Sequence, residues 1–349
     1  MHSTYENLDA KTLRDVRSVI SKEAYRRSPA KIWFWCCFDV LFFFAALFGV
    51  ILIQNPFLKI LMSIITGLAV SSLFVLAHDA AHGALFRRSW FAELVGTIFM
   101  LPALNVYRLW CLGHNRIHHG FTSLSSVDWI WRPLTLEEYD ALPKYKKALY
   151  RIERSLYGCG LHYLYKVWLP KMILFTPANL TKSEKAKLWL GKLVVAFYAT
   201  GMSIFAYHLD GIFGIVTMLI IPFIVFNYVI SLIVYLHHTH PDIPFFDAKP
   251  EWNHTIGALY CTTMIHSHWL INILTHDIMV HTPHNVDVRI PFYRLKGAFE
   301  NIKQHYADYL HEYTLTWSKL TSIFKSCKIY DYQKHEWHGF KKSKKASHQ

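Results

Sequence analysis

The stretch Ser63 to His82, SIITGLAVSSLFVLAHDAAH, is apolar and free of charge until Asp79, and it closes on two histidines four residues apart. An apolar run of this length reads as the end of a helix that crosses a bilayer, which takes about 20 residues. If the helix continues past the bilayer surface, His78 and His82 project from one face of its exposed end. The fold follows from how often the rest of the chain repeats that arrangement.

Outward from this stretch, four segments are long and apolar enough to span a bilayer, and they pair. Ile32 to Ile53 and Phe57 to Ala77 are parted only by QNP, and Lys192 to Leu209 and Ile212 to Leu236 only by Asp210 and Gly211. Each pair predicts a tight transmembrane hairpin. A fifth stretch, Trp90 to Leu104, is too short, carries Glu93, and is expected to be interfacial or re-entrant. The expectation is an all-α integral membrane protein with four transmembrane helices in two hairpins under a cytoplasmic helical cap. It is one domain over residues 1–349: a cytoplasmic N-terminal segment at 1–31, a first hairpin at 32–77, and a cytoplasmic loop at 78–191. A second hairpin at 192–236 and a cytoplasmic C-terminal segment at 237–349 complete it.

Composition agrees with that plan. Of 349 residues, 53% are hydrophobic, the net charge is +13, and 22 are histidine. Lys and Arg flank the spans and are missing from both hairpin turns, which predicts that both termini and the large loop are cytoplasmic. The first 31 residues are too charged for a removable signal peptide. The basic residues follow the membrane flanks and form no nucleic-acid motif, so anionic headgroups rather than nucleic acid are their expected partners, and the KKSKKASHQ tail reads as a solvated basic end. Six cysteines show no CxxC spacing and predict free thiols.

Histidine is the anomaly. After HDAAH comes HNRIHH, with His114, His118 and His119, and then WLINILTHDIMVHTPHN, with Asn272, His276, His281, His284 and Asn285. Eight imidazoles exceed what one tetrahedral zinc uses, and no cysteine accompanies them, so a nitrogen-rich site for two redox metals is expected, with iron leading. Crowded imidazoles without a metal would repel one another when protonated. Asp79, Asp128, Asp242, Asp277 and Asp287 are candidate partners for the outer ring nitrogens. His237, His238 and His240, in YLHHTHPD, read equally as snorkelling residues or as supports for the site. His266 and His268, and isolated histidines such as His2, His162, His311 and His348, are expected to be structural. Asp39 and Asn227, inside spans, are expected to face the bundle interior without a catalytic role.

These three clusters resemble the histidine boxes HxxxH, Hxx(x)HH and HxxHH of the membrane fatty-acid desaturase superfamily. VDWIWRP, HHTHPDIPFFDAKPEWN and HDIMVHTPHNVDVRIPFYRL are similar to segments of its acyl-lipid Δ12 and ω3 type members. The resemblance implies two iron ions held by His78, His82, His114, His118, His119, His276, His281 and His284. WLINILTH is similar to the segment of acyl-CoA desaturases in which an asparagine, through water, and a histidine complete the site, which adds Asn272 to His276. Where the third box should end in two histidines this chain has His284 and Asn285, so Asn285, a water, or a histidine of HHTH, His238 among them, is left to fill that place.

The implied reaction opens an unactivated C–H bond, which general acid–base catalysis cannot do. O2 and two electrons at the iron pair would remove two hydrogens from neighbouring methylenes of a fatty-acyl chain. The chain has no HPGG segment, so a separate donor, ferredoxin or cytochrome b5, is expected. Two rivals stand beside this reading. One is hydroxylation, acetylenation or ketolation on the same metal scaffold, and the other is a histidine-rich metal carrier or sensor. A carrier would place its ligands mid-span, where these segments are nearly free of them.

Overall fold

The computed structural model describes Tyr5, Leu8 and residues 10–340. The KKSKKASHQ tail with His348, and His2, lie outside the described residues. The described residues are mostly helical, and among them three helices are long and apolar enough to cross a membrane: Pro29–Leu52, Pro56–Ala81 and Lys182–His238.

The first two, α1 (Pro29–Leu52) and α2 (Pro56–Ala81), are punctuated by the same device. Asn55 accepts hydrogen bonds from Phe57 N at 3.0 Å and Leu58 N at 3.2 Å, and Pro56 occupies the first helical position, where its missing N–H costs nothing. Helix α2 has 26 residues, roughly 39 Å at 1.5 Å per residue, against a hydrocarbon layer of about 30 Å. The helix is thus longer than the layer is thick, and its last turn carries His78, with His82 as the C-cap. Along α2 the buried hydroxyls of Ser63, Thr66 and Ser71 return to the carbonyls four residues earlier at 2.8–2.9 Å, so they leave no donor loose in an apolar setting.

Next come α3 (Ser89–Met100) and a π-helix, Cys111–His118. Helix α3 is the short apolar stretch expected from the sequence, and its Glu93 pairs with Arg108 at 2.6 Å. A second π-helix runs Tyr163–Leu174. Helix α4 (Lys182–Ile215) breaks at Asp210 and Gly211, where Gly211 has φ of +58°, a left-handed conformation that glycine adopts without strain. After the break, Gly214 packs so closely on the Ala206 carbonyl that an added Cβ would lie 2.1 Å from its oxygen. Helix α5 (Ile221–His238) follows and ends on His237 and His238. It crosses α2 closely at Gly67, where a Cβ would fall 2.5 Å from Val225.

Two short sheets that the sequence did not announce sit in the polar half. Strands β1 (Thr263–His266) and β2 (His311–Thr314) pair in parallel, and β3 (Ile329–Asp331) pairs antiparallel with β4 (Glu336–His338). Strand β1 also bridges through Met264 to Val280, which fixes the chain just before His281. Between them lies α6 (Trp269–Leu274), followed by α7 (His281–Val286).

Candidate metal centre

Two groups of imidazoles form where these elements meet. His78, His82, His114, His119 and His284 bring ligand atoms within 4.8 Å of one another, and His118, His238 and His281 do the same. Helix α2 supplies the first two from adjacent turns. The π-helix supplies the next three, and its i→i+5 bonding decides who meets whom. His119 N donates to His114 O at 3.0 Å, so these two share a face and their Nε2 atoms lie 3.0 Å apart. His114 and His118, four residues apart, do not share that face. Instead His118 turns to the second group, 3.1 Å from His238 Nε2. On α7, His281 joins the second group and His284 the first, so one short helix serves both.

Three of the eight imidazoles have an outer ring nitrogen held. His78 Nδ1 lies 3.1 Å from Asp79, whose other oxygen accepts from Phe292 N. His118 Nδ1 lies 2.9 Å from Asp128, and His238 Nδ1 3.0 Å from the Cys261 carbonyl. Fixing Nδ1 in this way leaves Nε2 free to bind a metal. Burial, and after it the charge that neighbouring imidazoles would carry, pushes His82, His114, His119, His281 and His284 well below the usual histidine range. They are neutral donors.

Among the described residues, both ring nitrogens of His82, His281 and His284 are buried without a hydrogen-bond partner. Buried polar atoms are normally satisfied, and so many orphans aimed together fit a metal that pairs them. An all-imidazole donor set suits iron, copper, nickel or zinc rather than the hard, oxygen-seeking cations.

The structure does not bring His276 or Asn272 to either group. Helix α6 stops at Leu274, and His276 and Asp277 take left-handed φ values of 48° and 55°, so the helical spacing from Asn272 is broken. His276 Nε2 lies 2.6 Å from Asp39 of α1 and 3.1 Å from Ser72 of α2, a buried polar knot inside the bundle. Asn272 bonds to Ser267. Asn285, next to His284 on α7, is buried, and among the described residues neither of its amide atoms has a hydrogen-bond partner. Of the other aspartates, Asp242 holds His240 at 3.3 Å, Asp277 pairs with Lys296 and Asp287 with Arg289. His238 thus joins the metal candidates, while His237 stacks on His281 with ring centroids 3.7 Å apart. The signal in the sequence was position: HHTH ends an apolar helix just as HDAAH does.

An apolar cavity adjoins the groups. Phe74, Trp110, Trp131, Ile230, Ile233 and Val234 wall it, and His118, His238 and His281 face it together with His78 and His114. Such a space suits a hydrocarbon chain.

Residues 55–317 match the family described as fatty acid desaturase. Among similar proteins, the sn-1 oleoyl-lipid 12-desaturase of Picosynechococcus sp. is 30% identical over 91% of this chain and 90% of its own length. That of Anabaena variabilis is 28% identical over 91% and 89%. The chloroplastic omega-6 fatty acid desaturase of Glycine max is 30% identical over 93% of this chain and 75% of its own.

Proposed function

The chain belongs to the fatty acid desaturase family, and from that premise we propose that it is an acyl-lipid desaturase, using O2 and two electrons at an imidazole-held iron pair. Per turnover a –CH2–CH2– unit becomes –CH=CH–, and its two hydrogens, two donor electrons and two protons reduce O2 to two waters. The observation that carries this reading is the meeting of five and three imidazoles at one end of an apolar cavity.

The metal set consists of His78, His82, His114, His118, His119, His238, His281 and His284, with Asn285 beside it. Iron, when bound there, supplies the oxidising power that no side chain has. The chain's own residues do the rest. Asp79, Asp128 and the Cys261 carbonyl aim the imidazoles. The apolar walls admit a fatty chain and exclude water from the oxidant.

Four spans in two hairpins suit this placement. Asp210, in the α4 break, lies 2.5 Å from Lys59 near the start of α2, and Lys59 is 19 residues, roughly 28 Å, from His78. One end of each limb then lies near Lys59 and the other near the histidines, where lipid and a water-borne reductant both reach. The basic flanks argue for a cytoplasmic face there and suit an acidic, separate donor such as ferredoxin or cytochrome b5.

Expression in a host with simple lipids, followed by fatty-acid profiling, tests the function. A new product lacking two hydrogens is expected. A product that has gained oxygen, or unchanged lipids when a donor is supplied, would overturn it.

A further inference from the structure

We infer that the two imidazole groups are unequal: the metal held by His118, His238 and His281 has the fewer donors, faces the acyl cavity and leaves first, and Asn285 is the residue that makes it so. This rests on the desaturase reading for the identity of the metal.

Donor number is the first observation. Five imidazoles form one group and three the other. Three protein ligands leave positions open to water or substrate, whereas a filled shell closes them. Position is the second. All three members of the smaller group line the cavity, while His82, His119 and His284 of the larger one do not. His78 and His114 of the larger group reach the cavity too, so the distinction is that the smaller group lines it with every member and meets an acyl chain with its open positions.

Asn285 accounts for the difference. It stands four residues after His281 on α7, hence on the same helical face. It is 5% exposed, and among the described residues neither its amide oxygen nor its amide nitrogen has a hydrogen-bond partner. A buried, unpaired amide costs free energy unless something in the site uses it, and toward a transition metal its neutral oxygen is a poorer donor than imidazole. His281 compounds the weakness. His118 and His238 are each anchored through Nδ1, but among the described residues His281 has no hydrogen bond at either nitrogen and is held by ring contacts alone, stacked on His237 and edge-on to His238.

The test is metal release from the full-length protein in detergent, loaded anaerobically with two equivalents of Fe(II) and challenged with a chromogenic chelator. Two phases of one equivalent each are expected, separated by about tenfold or more in rate, the scale on which supporting interactions tune metal affinity. Asn285→His should slow the fast phase about tenfold and leave the slow one alone. His238→Ala should delete the fast equivalent while the slow one persists, which also reports a folded variant. Release of both irons in one phase from the unaltered protein, or an Asn285→His protein that binds two irons and releases them at the original rates, would overturn the inference. Unsaturated product with single-phase release sinks the inference and leaves the desaturase reading standing; two unequal metals without product does the reverse.

Discussion

His118 and His238, 120 positions apart in the chain, bring their Nε2 atoms to 3.1 Å, each with its Nδ1 tied to a different acceptor. The pair joins the π-helix to the end of α5 and makes HHTH part of the site. His238→Ala, and His118→Ala with it, should abolish product and lower iron from two to about one per chain. Both variants should still fractionate with membranes. Lipid profiling and elemental analysis check this, and full product from either variant would remove these residues from the centre.

Asp128 acts on the metal only through His118, at 2.9 Å with both side chains buried. Asp128→Asn keeps the shape and replaces the carboxylate oxygen that holds His118 Nδ1. Metal affinity of the three-imidazole group should fall about 10- to 100-fold. Chelator competition should show that loss while the five-imidazole group keeps its metal; equal weakening of both would mean that Asp128 supports the fold alone.

How much of this was legible in the sequence depended on whether backbone geometry followed spacing. For His78 and His82 it did, because α2 continues as a regular helix and a four-residue interval means one face. For His114, His118 and His119 the residues were found but their partition was not, since i→i+5 bonding leaves no mark in the spacing. His276 was misplaced because α6 ends two residues before it and the chain turns left-handed there. His238 was left between two roles, because its partners come from segments about 20, 40 and 120 residues away in the chain, which no local pattern reveals.

The knot of Asp39, Ser72 and His276 is predicted to be a tether and not a ligand set. Asp39 and His276 are fully buried, and removing one partner of a buried hydrogen-bonded pair costs roughly 1–3 kcal/mol. Asp39→Ala and His276→Gln should each lower the melting temperature in detergent, with the double variant no worse than the more damaging single one. Both should keep two irons per chain. Loss of one iron in His276→Gln alone would restore the ligand role that the resemblance implied.

Acidification should destabilise the metal-free protein. His82, His114, His119, His281 and His284 have folded pKa values depressed by burial and by one another. Unfolded imidazoles take up protons near pH 6.5, so below that value the unfolded state binds more protons than the folded one. Stability is fully present above about pH 6.5 and drains away as the pH falls beneath it. Melting curves of the metal-free protein between pH 7.5 and about pH 5 should show the decline. His82→Ala with His284→Ala should flatten it; a melting temperature that rises on acidification would contradict the neutral, buried state of these rings.

The cavity should measure the acyl chain along α5. Ile230, Ile233, Val234 and His237 share one face of that helix by their three- and four-residue intervals, and all four line the cavity. Val234→Trp places an indole within one turn of the histidines, where it blocks the reacting carbons, so product should vanish. Ile230→Trp stands seven residues from His237, roughly 10 Å along the axis, and should admit only shorter chains. Filling existing space with a ring costs less than forcing it into a packed core, so both proteins should fold and bind two irons. Fatty-acid profiles from a host supplied with chains of graded length decide the matter. If Ile230→Trp processes long and short chains in the original ratio, the acyl chain does not run along α5.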